Sequence, residues 1–294
     1  SKNVSIIDSL NNSIITGHYG EIFKAKDSAI ITRRAMAINI VDQDSLFIHA
    51  DTLVATGPQE KRILRGYYDV RILKSDIRGR SDSLYLDQSI GLTKLLSRPL
   101  TNQQEQIFTE ADRNGANPVL WFGESQMSGD KIFLLSNLVT RKLDSLKITG
   151  NIFIIEKDTL SLDGYQQIKG GILNGAFKEG RLDNIVITKN TEMVYYLYND
   201  EDLQLIGIDK TTCSALQMNF TDGQIEDITF LVSPNGDVYP EEELPINDRT
   251  LKGFIWRINE RPETIEDLFD EKDKKDQFPE ILSFKFPEVE PKNK

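Results

Sequence analysis

Cysteine is almost missing from this chain: 294 residues hold one, Cys213. An intramolecular disulfide framework is excluded, and the compartment stays open, because many exported proteins lack disulfides. Histidine is nearly as scarce, with His18 and His49 alone. His49-x-Asp51 has the spacing of half a metal site, but no second cluster supports it, and no metal or cofactor is expected. Alternation with Leu46 and Ile48 points His49 outward. No apolar run reaches the roughly 18 residues of a membrane-crossing helix. Cations are outnumbered, 35 Lys and Arg against 46 Asp and Glu, for a net charge of −11. Nucleic acid requires a basic stripe, and anionic headgroups a basic surface, so both are disfavoured as partners. A neutral or amphiphilic ligand and divalent cations stay possible. There is no Gly-x-Ser-x-Gly, no P-loop and no Rossmann glycine pattern, so an enzyme is not expected.

What is abundant is one short phrase, Asp-Ser/Thr-Leu-x-Ile/Leu. It stands at Asp44–Ile48, Asp82–Leu86, Asp144–Ile148 and Asp158–Leu162, with looser copies at Asp27–Ile31 and Asp130–Leu134. The fixed apolar positions are two apart and the residue between them varies. A period of two is a strand with one face always buried. Repetition of one strand unit predicts an all-β, stacked architecture around a continuous apolar interior. Leu46, Ile48, Leu84, Leu86, Ile132, Leu134, Leu146, Ile148, Leu160 and Leu162 are therefore the expected interior ladder, and Phe47, Tyr85, Lys147 and Ser161 should face away. The aspartates read as turn residues at strand starts.

A longer repeat agrees. Residues 164–196 lie on 207–239 at a constant offset, matching Phe177 to Phe220, Gly180 to Gly223, Ile185 to Ile228 and Tyr196 to Tyr239. Each copy centres on a hairpin, with Glu179-Gly180 or Asp222-Gly223 at its tip. Tyr195, Tyr196 and Tyr239 read as strand aromatics with one wet end, and stacking on sugars is the rival use. Cys213 reads as a small buried apolar residue.

Residues 1–240 thus form the repeat body. The segment 101–115 breaks its rhythm and reads as an inserted loop with a helical turn, Thr101 capping and Gln104 completing the box. Residues 241–269 read as a capping segment, with Leu251–Trp256 a last strand over the open end and Pro262–Phe269 a short helix. Residues 270–294 read as a flexible tail. The chain opens at Ser1 without Met, as a trimmed chain would, which makes the N-terminal edge the better candidate for strand addition.

Several phrases in order resemble a known family: Asp44–Leu53, Lys61–Ile72, Gly79–Leu84, Asn117–Trp121, Gln126–Asp130, Glu192–Tyr196, Val238–Pro240 and Leu251–Phe254. Together, over roughly Ile14 to Phe269, they resemble the OstA-like (organic solvent tolerance-like) proteins of Bacteroidetes. These are similar to the periplasmic lipopolysaccharide-transport proteins of Gram-negative cells. The resemblance implies an open, V-shaped β-jellyroll whose slot shelters lipid acyl chains. It also implies a periplasmic, outer-membrane-associated location. Implied partners are lipopolysaccharide or a related amphiphile, other transport jellyrolls or the outer-membrane translocon, and self-association by strand addition. Two other readings stand beside it: a carbohydrate-binding or carbohydrate-active β-solenoid, and a purely structural β-repeat.

Overall fold

The computed structural model describes residues 2–40, 44–99, 101, 107, 109–221 and 224–275. The chain is all-β, built of antiparallel strands that stack as rungs folded over a crease. Long strands span the fold and bend midway: β2 (Ser13–Phe23), β7 (Ile63–Leu73), β8 (Ile77–Asp87), β13 (Leu143–Lys157), β14 (Tyr165–Lys178), β15 (Arg181–Tyr198) and β16 (Leu205–Thr221). Short strands fill the levels between them.

On one side, here arm 1, β3 (Ser28–Thr32) and β6 (Thr52–Thr56) bridge β2 to β7, and β9 (Leu92–Leu96) and β12 (Lys131–Ser136) bridge β8 to β13. On the other side, arm 2, the bridges are β4 (Met36–Asn39) with β5 (Leu46–His49), then β10 (Val119–Phe122) with β11 (Ser125–Ser128). Each set closes a ring of six strands, because both arms share the same long strands. Beyond β13 the arms continue through β14, β15 and β16. They end in β17 (Gln224–Val232) on arm 1 and β18 (Asn235–Tyr239) on arm 2. The first rung adds β1 (Lys2–Asp8) beside β2.

The crease is written into the backbone. Positive φ occurs in pairs where strands turn from one arm to the other: Arg33 and Arg34, Tyr68 and Asp69, Gly150 and Asn151, Lys189 and Asn190. Pairing registers slip at Tyr67/Val70, Thr149/Ile152, Lys169/Ile172 and Thr188/Thr191. These are bulges, which bend a strand without ending it. The inside of the bend is tight: a Cβ on Gly170 would stand 2.3 Å from Ile187 Cγ2.

The long repeat is a repeated pair of arm-spanning strands. β14 corresponds to β16, and β15 to β17 plus β18. Asn190 (φ 53°) and Ser233 (φ 48°) occupy equivalent places at the crease. Glu179 (φ 54°) and Gly180 (φ 86°) form the expected tight turn. The matching Asp222-Gly223 lies outside the described residues.

The inserted segment holds helix α1 (Glu110–Ala116). Its cap is Thr109, in a capping box with Asp112, while the turn expected after Thr101 lies outside the described residues. Gln104 lies outside the described residues.

After β18 the chain does not cap the open end. Residues 241–275 run back as a strap across the outer face of arm 2, crossing the strands. Two glutamines pin its backbone. Gln167 donates to the Arg249 carbonyl at 2.8 Å and accepts from the Leu251 amide at 2.9 Å. Gln126 does the same with the Ile255 carbonyl (2.9 Å) and the Arg257 amide (2.7 Å). Leu251–Trp256 is consequently no strand, because these side chains satisfy backbone groups that a ladder would otherwise use. Leu244, Leu251, Phe254 and Trp256 cover Phe153, Ile155, Val194, Tyr196 and Ile208. Burial of each such side chain contributes about 1.5–3 kcal/mol.

The strap ends in a short turn at Ile265–Leu268 and in α2 (Glu271–Lys274), against the first rungs. Residues 270–275 are thus docked by Asp273, while 276–294 lie outside the described residues.

Candidate functional site

The two arms face each other across a continuous apolar interior. Ile48, Leu84, Leu86, Ile132, Leu134, Leu146 and Ile148 are buried in it, and Leu46 packs at its margin half-buried. Lys147, between Leu146 and Ile148, is exposed on the far face. Leu160 and Leu162 are not part of the interior. They are 50% and 91% exposed, in the loop between β13 and β14. There Asp158 closes a turn, its amide donating to the Gly164 carbonyl and its carboxylate accepting from the Leu160 amide. The phrase is the same, but the aspartate has captured the backbone. Asp82 departs in the other direction, lying inside β8 at the crease rather than at a strand start.

Opposite the crease is the mouth of the V, where hairpins of both arms meet. It is clasped at two levels. Near β1, Asp8 pairs with Arg62 at 3.5 Å, and Asn11 donates to the Gln59 carbonyl at 2.8 Å. Farther along, the rings of Phe122 on arm 2 and Phe177 on arm 1 lie 5.8 Å apart. Between the clasps the interior opens. A cavity of about 310 Å³ has walls of Leu46, Ile48, Ile72, Ile77, Leu86, Leu120 and Leu134. A smaller one of about 70 Å³ shares Asn39, Ile48, Leu86 and Gln88 with it and continues toward Ile6 and Ile15. Gln88 lines both, and its Oε1 is buried with no hydrogen-bond donor among the described residues.

The rim is charged, and its sign depends on the arm. Hairpins of arm 1 carry Lys24 and Lys26, Lys61 and Arg62, Arg141 and Lys142, Lys178 and Arg181, against Asp27, Glu60, Asp87 and Glu179. Those of arm 2 carry Asp8, Asp44, Asp76, Glu124, Asp158, Asp163, Asp200, Glu201 and Asp202, against Lys74 and Lys157. Lys74 is itself neutralised, its Nζ 2.6 Å from both Asp44 Oδ2 and Asp76 Oδ1. Burial alone would lower the Lys74 ammonium, but the two carboxylates outweigh it and hold it above its ordinary value. Burial likewise pushes Asp44 up, and hydrogen bonds from Lys74 and Ser75 bring it below the usual carboxylate range.

The remaining candidates lie elsewhere. His49 points outward as its alternation implies, yet it is buried there, on the outer face of arm 2 beneath the strap. Its Nδ1 donates to the Ala35 carbonyl at 2.7 Å, and Nε2 faces Asp273 Oδ2 at 3.3 Å. Phe269 stands edge-on to it at 5.0 Å. A pattern of two could not distinguish solvent from a distant strap. Cys213 is buried at the crease, where it replaces the equivalent Gly170. Tyr196 is covered by the strap, and Tyr239 packs beside it. No group of metal-ligating side chains occurs among the described residues, and no helix of the described chain is long and apolar enough to cross a membrane. The rim cations went unread in the sequence, although they sit at every second hairpin from Lys24 to Lys61 and again at Arg141 and Arg181.

Comparison with known proteins adds no relative: no family model matches the chain, and no curated protein is similar to it.

Proposed function

We propose that this chain shelters the acyl chains of an amphiphile in the slot between its arms, as a lipopolysaccharide-transport or outer-membrane-assembly protein of the periplasm. One observation carries the reading: a cavity of about 310 Å³, apolar inside and charged at its rim, opens at the mouth between two clasps. Ligand sites span about 300–1,000 Å³, so the space suits one chain segment and not a whole lipid A. Each methylene sheltered contributes about 0.8 kcal/mol. Partners of the same architecture would add to the outer edges of β1, β17 or β18, where no described strand pairs. No step of catalysis is invoked.

The structural-repeat reading draws on the Phe122–Phe177 contact, which fills the slot beyond β10. The carbohydrate reading loses support, because Tyr196 lies under the strap and offers no stacking face.

Photo-crosslinking decides between them. A photoreactive residue replacing Leu138 or Leu143 at the mouth should capture lipopolysaccharide, and one replacing Leu162 on the outside should not. Equal labelling at all three positions, or none at any, returns the protein to the structural reading.

A further inference from the structure

The mouth is lined differently on its two sides. Arg141, Lys142 and Arg181 stand on the arm 1 rim of the larger cavity, with Glu179 the single acid among them. Arg141 and Lys142 are exposed and make no ion pair within the described residues. Across the opening stand Asp44 and Asp76, with Lys74 held between them at 2.6 Å from each. That triad sums to one negative charge. A field therefore runs across the opening, from a positive lip to a negative one.

We infer that the slot selects amphiphiles whose headgroup is zwitterionic, a phosphate carrying an amine, and binds them in one orientation. This rests on the sheltering of an acyl chain proposed above. With the chain in the apolar floor, the phosphate lies against Arg141 and Lys142, and the ammonium lies toward Asp44 and Asp76. A headgroup with phosphate alone meets the positive lip but leaves the negative lip uncompensated. A cationic headgroup has the reverse fault. Charges placed at fixed positions on opposite walls discriminate by sign and by order, as complementary interfaces do. The overall charge of −11 works in the same direction, since it repels a simple anion at a distance.

Displacement of the neutral fluorescent probe N-phenylnaphthylamine from the whole protein tests this. The competitors are single-chain lauryl amphiphiles with phosphoethanolamine, phosphate, trimethylammonium and maltoside heads, kept below micellar concentration. The phosphoethanolamine head is expected to displace the probe at a concentration about tenfold below the maltoside, the scale of two exposed charge pairs. Arg141→Gln with Lys142→Gln should bring it to the maltoside level. Asp44→Asn with Asp76→Asn releases Lys74 and should place the plain phosphate ahead of the zwitterion. Equal displacement by all four heads overturns the zwitterion proposal and leaves acyl sheltering intact. If the probe never binds, the sheltering reading fails and the headgroup proposal goes with it.

Discussion

His49 and Asp273 face each other at 3.3 Å, one on an early strand of arm 2 and the other at the end of the strap. Asp273 also accepts from the Arg34 amide at 3.0 Å, so this carboxylate ties the end of the strap to both the strand and the crease. Burial pushes Asp273 up, but the His49 hydrogen bond and the Arg34 amide outweigh it and hold it at about 2.

That carboxylate gives the strap a pH dependence of known sign. Its folded pKa lies below the unfolded one, so its contribution is fully present above roughly pH 4. It is lost as pH falls toward about 2. Amide exchange across 264–275 should therefore accelerate between those limits while the ladder stays protected. Asp273→Ala should reproduce the effect at neutral pH at a cost of about 1–2 kcal/mol. Unchanged exchange in the variant would show that the anchor is elsewhere.

The two glutamine staples predict a larger loss. Gln126→Ala and Gln167→Ala each leave a strap amide and a carbonyl unpaired, at about 1–3 kcal/mol apiece. Limited proteolysis between Arg249 and Arg257 should quicken in both. Gln167→Glu should be worse than the alanine, because it removes the donor and buries a charge.

Much of this fold was legible because strand periodicity is a local property. Leu84, Leu86, Leu146 and Ile148 could be placed from their spacing, and the hairpin at Glu179-Gly180 from its glycine. Leu160 and Leu162 could not, because their phrase is indistinguishable until Asp158 chooses between a ladder and its own backbone. The strap was unreadable as a strap. It has no period of its own and takes its path from Gln126 and Gln167, whose partners lie far along the chain. The mouth escaped for another reason. Its cations are scattered singly through hairpins, and only folding over the crease aligns them.

At the crease, the cost of positive φ can be measured. Gly150 has φ 71°, and a Cβ there would stand 2.1 Å from Asp130 Oδ2. Gly150→Ala should destabilise by roughly 2 kcal/mol or more. Lys189, at φ 70°, should gain up to about 1 kcal/mol on replacement by glycine. Denaturant midpoints would show the opposite signs, and matching signs would remove backbone strain as the explanation.

Floor and rim of the slot should separate in the same assay. Leu84→Ala empties a buried site and should cost about 2–5 kcal/mol. Leu138→Ala, at a position 49% exposed, should stay within about 0.5 kcal/mol yet weaken probe binding. Loss of stability at Leu138 equal to that at Leu84 would mean that the mouth is packed shut.

The strap has a consequence for the order of events during synthesis. Rungs can assemble as they leave the ribosome, each on the one before. The strap cannot begin to dock until β13 to β16 exist, and its far end lands on strands made first. An immature ladder thus exposes Phe153, Val194 and Ile208 along one flank, and only a chain translated through Trp256 can hide them all. Docking is in effect a completeness check: a protein stalled or clipped short of it carries an apolar flank that chaperones and proteases can recognise.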